Sequence, residues 1–214
     1  MAVWVLIGFM GCGKSSIGRT VQRLAAKAAS GVIPVFAKKR LSQKSSGPLQ
    51  FIDLDEEIVR REGRSVPEIF ADGGEAAFRT IERETLAELL SEANSLRGSA
   101  SLPTVNLLLS LGGGTLTDPE SRKLVQKNCK CIYLRASVKT LVANLREVGT
   151  EGRPMLAGAN PNAPADSPES LESRIASMMA ARGPIYEKAA DIILDIDGMD
   201  YSDIARQIIN SFSL

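Results

Sequence analysis

Gly8-Phe9-Met10-Gly11-Cys12-Gly13-Lys14-Ser15 closes an apolar run from Ala2 to Gly8. It opens a helically spaced pattern through Ile17, Val21, Leu24 and Ala28. A run apolar at every position, rather than at every second one, is expected of a central parallel strand covered on both faces. G-x-x-x-x-G-K-S between such a strand and a helix has the form of a phosphate-binding loop. Its glycines let backbone amides converge on phosphate oxygens with no Cβ in the way. The helix beginning near Lys14 adds the positive end of its dipole. The loop from Gly11 through Cys12, Gly13 and Ser16 would therefore cradle the phosphates of ATP or GTP. Lys14 would reach the β- and γ-phosphates, and the Ser15 hydroxyl would ligate Mg²⁺. Cys12 fills an unconstrained position of the motif, where any small residue fits.

Outward from this loop, apolar runs and helical patterns alternate. Phe51 to Leu54, Val105 to Leu111, Lys130 to Leu134 and Asp191 to Ile196 read as strands. Ser65-Val66-Pro67-Glu68 is a capping box with Pro in the first turn, and Asp118-Pro119 opens a helix as cap and first position. Glu75 to Leu90, Val138 to Arg146 and Asp203 to Phe212 read as helices. Glu169 to Ala190 reads as a helix broken near Gly183-Pro184. This alternation predicts an α/β fold with a doubly wound parallel sheet in a single domain spanning 1–214. Ala37 to Pro48, within an insertion at about 32–49, is basic, Ser-rich and aperiodic, and reads as a solvated surface loop. Glu151 to Pro168 is a long Gly/Pro/Asn/Ala loop of the kind that carries function or disorder.

Composition narrows the classes. The chain has 26 Lys+Arg against 25 Asp+Glu, a net charge of +1, which gives no global attraction to nucleic acid or to a membrane surface. No apolar run approaches the eighteen or so residues of a membrane helix. The apolar start lacks the basic flank of a secretory signal, and its residues are needed for the phosphate loop. The three cysteines, Cys12, Cys129 and Cys131, form neither a disulfide framework nor a metal spacing. The last two alternate along a strand, as packing residues do, and a reducing compartment is expected. With no histidine in the chain, imidazole catalysis and imidazole metal ligation are excluded.

Three further clusters fall at carboxyl ends of strands, where open parallel sheets bind ligands. Asp53 and Asp55 follow Phe51-Ile52. One could hold a Mg²⁺ water and the other accept a proton from a hydroxyl, or both could simply favour a helix start. Arg79 and Glu82 lie one helical turn apart, as an ordinary surface ion pair would. Gly112-Gly113-Gly114 is expensive to order unless backbone must approach something closely.

The set GFMGCGKSS, Asp53-Leu54-Asp55, Phe78-Arg79 with Glu82, Ser110-Leu111-Gly112-Gly113-Gly114, Arg153-Pro154 and Arg182 with Tyr186 resembles the shikimate kinase family. The motifs occur in that family's order, from Val3 to about Asp197. The resemblance implies a three-layer P-loop kinase fold with a five-stranded parallel sheet flanked by helices and a mobile lid. It implies transfer of the ATP γ-phosphate to the 3-hydroxyl of shikimate with Mg²⁺. Carried over by residue, Lys14 and Ser15 would serve ATP and metal, with Asp53 in the outer metal shell. Asp55 would hold the reacting hydroxyl and act as its base. Arg79, Gly113, Gly114 and Arg182 would grip shikimate's carboxylate and other hydroxyls, with Glu82 orienting Arg79. Arg153 would swing in on a lid at about 147–168, and Arg146 would stack on adenine. The helical segment of about 53–92 would bind shikimate. A monomeric, cytoplasmic enzyme is expected, or a plastid-stromal one from which a targeting segment has been removed.

The insertion at 32–49 and the lengthening Asn160-Pro161-Asn162-Ala163-Pro164 depart from a minimal member of that family. Two other readings stay open on sequence. One is another small-molecule kinase, such as a gluconate or nucleotide kinase. The other is an inactive relative, although no motif residue is damaged.

Overall fold

The computed structural model describes residues 3–29, 48–97, 106–149, 153–156, 164, 167 and 170–212. The insertion expected at 32–49 lies outside them except for its last residues, as does most of the lid expected at 147–168. Five strands, β1 (Val3–Ile7), β2 (Leu49–Asp53), β3 (Asn106–Ser110), β4 (Cys129–Arg135) and β5 (Ile192–Asp195), form one sheet in the order β2-β3-β1-β4-β5. Every pairing is parallel. The all-apolar strand of the sequence, β1, is buried at all its positions and lies centrally, as burial on both faces requires.

Seven helices connect and cover the described sheet: α1 (Lys14–Ala29), α2 (Leu54–Glu62), α3 (Val66–Arg97), α4 (Pro119–Asn128), α5 (Val138–Val148), α6 (Leu171–Ala189) and α7 (Tyr201–Ser211). α1 packs on α7, α5 on α6, and α3 on both α2 and α4. Trp4 on β1 stacks against Phe212 just beyond α7, with ring centroids 5.1 Å apart. No helix among the described residues is long and apolar enough to cross a membrane.

The predicted caps form as their chemistry demands. Ser65 N–H donates to Glu68 Oε2 at 2.6 Å, and Glu68 N–H donates back to Ser65 Oγ at 3.4 Å. Asp118 accepts from Ser121 N–H at 2.9 Å ahead of Pro119. Glu75 to Leu90 belongs to the longer α3, which kinks at Gly74, where φ is +70°. Phe70 and Phe78 stack across that kink at 4.8 Å and hold its two arms together.

One expectation fails: α6 is not broken at Gly183-Pro184 but runs through Pro184. The proline removes a bond to the carbonyl of Ala180. Both residues are on the exposed side of the helix, where water can satisfy that oxygen. Arg182 and Tyr186, one turn apart, are thereby buried on the same face.

Candidate active site

Parallel strands end together, so their carboxyl ends lie level. Asp53 closes β2 opposite Ser110 of β3, and Leu6 of β1 pairs with the same Ser110. The phosphate loop leaves β1 here and turns into α1 through glycines of positive φ. At Gly8 (φ +145°) an added Cβ would stand 2.7 Å from the Leu134 carbonyl oxygen, so no other residue fits without moving β4. The buried Lys14 Nζ donates to the carbonyls of Gly8 and Phe9 at 2.8 and 3.0 Å, folded back over its own loop.

Ser15 Oγ donates to Asp53 Oδ2 at 2.6 Å. Asp53 also caps α2, accepting from the N–H groups of Asp55 and Glu56. Asp53 thus combines the helix start with a direct bond to the phosphate loop. Asp55 sits in the first turn of α2, half-buried in a cavity of about 240 Å³ shared with Lys14, Ser15 and Gly113. Removal from water, and then the carboxylates of Asp53 and Glu82, push its pKa up to about 6. Lys14 and Arg79 pull it the other way but do not prevail.

A second group of residues adjoins this cavity through the glycine triplet. Arg79 donates through Nη1 to Glu82 Oε2 at 2.6 Å and through Nη2 to Glu75 Oε1 at 3.1 Å. Burial works against its charge, but Glu82 and Glu75 outweigh it and raise its pKa. The triplet lies against this guanidinium: a Cβ at Gly114 would be 2.1 Å from Arg79 Nη2. Arg182 Nη1 donates to the Gly113 carbonyl at 3.3 Å, and Tyr186 Oη donates to the same oxygen. Arg182 also lies over the Phe9 ring, 5.8 Å from its centroid, which ties the two groups together. Two guanidiniums, a shared wall of glycine backbone and one elevated carboxyl beside a phosphate loop suit a small hydroxylated anion.

The family model described as shikimate kinase matches residues 39–213. The chain belongs to the shikimate kinase family. The shikimate kinase of Thermus thermophilus is 36% identical over 205 residues, covering 95% of this chain and 86% of that one. That of Stenotrophomonas maltophilia is 33% identical, covering 96% and 88%. Among solved structures, the shikimate kinase of Acinetobacter baumannii in complex with shikimate superposes with a TM-score of 0.72. It is 25% identical, with 99% of this chain and 93% of that one covered. The architecture is accordingly the P-loop kinase fold, with its five parallel strands flanked by helices.

Within this shikimate kinase scaffold, the structure gathers Gly11, Gly13, Lys14, Ser15, Ser16, Asp53, Asp55, Gly113 and Arg153 around the cavity. Arg79, Glu82, Gly114 and Arg182 form the adjoining group. Arg153 donates to the Gly149 carbonyl, and burial lowers its pKa from the usual guanidinium value. Cys12 does not line the cavity: its backbone N–H donates to the Phe9 carbonyl at 3.3 Å, and its thiol is buried, 3.9 Å from Lys14 Nζ. Arg146 is not brought to the cavity. It is exposed on α5, whose cavity-facing positions are Asn144 and Val148. The helical period explains this, since residues two apart point to nearly opposite sides.

Three residues at the cavity carry no signal in the sequence. Asn144 Nδ2 donates to the Gly11 carbonyl at 2.8 Å and braces the phosphate loop from α5. Tyr201 opens α7 and covers Gly13, where an added Cβ would meet its ring at 3.0 Å. Val148 stands 72% exposed at the cavity edge. None belongs to a motif, and only folding brings α5 and α7 to the loop.

Proposed function

We propose that this chain transfers the γ-phosphate of ATP to the 3-hydroxyl of shikimate, giving shikimate 3-phosphate and ADP for aromatic amino acid biosynthesis. The observation that carries the reading is the position of Asp55. It is the one elevated carboxyl described in the cavity, between the phosphate loop and the paired guanidiniums. Near neutral pH Asp55 is ionised and only weakly solvated, so it accepts a hydrogen bond from the reacting hydroxyl and takes its proton as the phosphoryl group arrives. Arg79 and Arg182 hold the shikimate carboxylate, and the backbone of Gly113 and Gly114 admits the ring closely.

Lys14 exchanges the Gly8 and Phe9 carbonyls for phosphate oxygens when ATP enters. Arg153, already at the cavity, neutralises charge on the transferring group, which phosphoryl transfer needs more than covalent chemistry. Ser15 Oγ and Asp53 Oδ2, 2.6 Å apart, are hard oxygen donors of the kind Mg²⁺ takes. Bound Mg²⁺ supplies neutralisation of the phosphate oxygens; Ser15 would hold it directly, and Asp53 through water. A monomeric cytoplasmic enzyme is part of the same reading, and light scattering of the purified protein checks the oligomeric state.

The decisive assay couples ADP release to NADH oxidation with Mg²⁺, ATP and shikimate present. Shikimate-dependent turnover is the expected result. Turnover on gluconate or a nucleoside monophosphate with none on shikimate would sink the proposal.

A further inference from the structure

Glu82 has no contact with solvent, at 0% exposure. A carboxyl group so placed needs a partner for each of its oxygens. Oε2 takes the Arg79 guanidinium, and Oε1 takes the hydroxyl of Thr115 at 2.5 Å. Thr115 is equally enclosed, also at 0% exposure, in the short 3₁₀ turn Thr115–Thr117 that follows the glycine triplet.

A plainer reading of this threonine is a hydroxyl satisfied on its own turn, since Oγ1 also lies 3.0 Å from the Gly112 carbonyl. That oxygen already accepts the Thr115 backbone N–H at 3.1 Å. The hydroxyl has one proton, and Glu82 Oε1 is the nearer acceptor while the Gly112 oxygen already holds an N–H, so the proton goes to Glu82. Gly112 leaves room for this contact: a Cβ there would stand 2.8 Å from Glu82 Oε1 and 3.0 Å from Asp55 Oδ1.

The other carboxylate on Arg79 behaves differently. Glu75 has 48% of its side chain exposed, and its bonds to Arg79 measure 3.1 and 3.3 Å. An exposed i,i+4 pair of this kind is weak and free to exchange with water. The pose of the guanidinium therefore rests on Glu82, and that of Glu82 on Thr115.

We propose that Thr115 is a positioning residue for recognition of the acceptor's carboxylate, acting through Glu82 on Arg79. The inference rests on the assignment of Arg79 to shikimate made above. Thr115→Val keeps the shape and removes the hydroxyl, while Thr115→Ser keeps the hydroxyl. The valine variant is expected to raise the shikimate KM about tenfold, with the ATP KM within about twofold and kcat changed less than KM. The serine variant stays within about twofold of the parent in all three.

A second readout compares shikimate with its methyl ester, which offers Arg79 no charge. The parent's preference for the acid, as a ratio of kcat/KM values, should shrink in Thr115→Val and persist in Thr115→Ser. An unchanged shikimate KM in the valine variant, an equal loss on acid and ester, or a serine variant as poor as the valine one overturns the proposal. If Thr115→Val does not fold, Thr115→Ala against Thr115→Ser gives the same comparison. Arg79→Ala is measured alongside. An unchanged shikimate KM there would remove the assignment of Arg79 itself, which separates that failure from a failure of Thr115 alone.

Discussion

The two ends of the parallel sheet carry cavities of opposite character. At the amino end a space of about 470 Å³ opens beside Lys127, Lys130, Lys188 and Asp191; the one at the carboxyl end, beside Asp55, is about 240 Å³. The larger is chemically quiet. Lys130 Nζ donates to Asp191 Oδ1 at 2.9 Å, and Asp191 Oδ2 accepts the Cys131 N–H at 2.8 Å. Burial alone would raise the Asp191 pKa, but these bonds outweigh it and hold it below the usual carboxylate range. α4 and α6 end on this side, so lysines there meet the negative ends of helix dipoles.

At the carboxyl end α1 and α2 begin, and carboxylates are withdrawn from water. Glu82 is sealed in, and Asp55 is pushed up to about 6. Volume does not locate the chemistry; the common direction of strands and helices does, because it collects backbone N–H groups and displaced carboxylates at one end. The cysteines sharpen the contrast. Burial pushes the Cys131 thiol, near the amino end, up to about 12, which leaves it an inert packing group.

The comparison can be broken in three ways. The largest effect is expected at Asp55. Asp55→Asn should lower kcat by about 10³, the range of a lost general base, with the ATP Kd within about twofold. ATP affinity falling as far as the rate would place Asp55 in the nucleotide site instead.

The next effect is the stability cost of the same carboxyl. Its folded pKa of about 6 lies above the ordinary 3.8, so the folded state binds this proton more tightly than the unfolded chain does. Stability from this group is therefore full below about pH 4 and falls as pH rises toward 6 and just beyond. Asp55→Asn should thus gain about 3 kcal/mol at about pH 8 and little at about pH 4, read by denaturant titration. In the parent enzyme kcat/KM should drop as pH falls through about 6, where the carboxylate takes up its proton. A variant no more stable at high pH would mean that the carboxyl end is not strained.

The smallest effect is expected at the amino end. Lys130→Met should leave kcat and both KM values within about twofold. Its exposed pair with Asp191 should cost no more than about 1 kcal/mol when lost. A tenfold kinetic change would show the two ends to be coupled.

The phosphate loop, the five strands and the caps at Ser65 and Asp118 were legible in the sequence, because each depends on neighbours a few residues away. Helix α6 was misread at Pro184, since local rules see the missing N–H but not that the orphaned Ala180 carbonyl faces water. The acidic pair stayed ambiguous for a related reason: Asp53 caps α2 and also holds Ser15 of the phosphate loop. Arg79 with Glu82 looks like any surface pair until Thr115 and Gly112 close over it. Asn144, Tyr201 and Thr115 could not be found at all, because nothing in their local sequence marks a contact made across the fold.

Sequence alone determined that a nucleoside triphosphate loop opens a parallel α/β sheet, because glycine geometry, strand patterning and the strand-to-helix junction are properties of short segments. The family's motifs then directed attention to a hydroxylated acid. Tertiary structure decided which of those residues share one cavity, that Arg146 stands away from it, and that Glu82 is sealed rather than solvated. Only packing sets burial, and burial separates Glu82, sealed from solvent, and Asp55, whose pKa it raises, from the many carboxylates that are merely solvated.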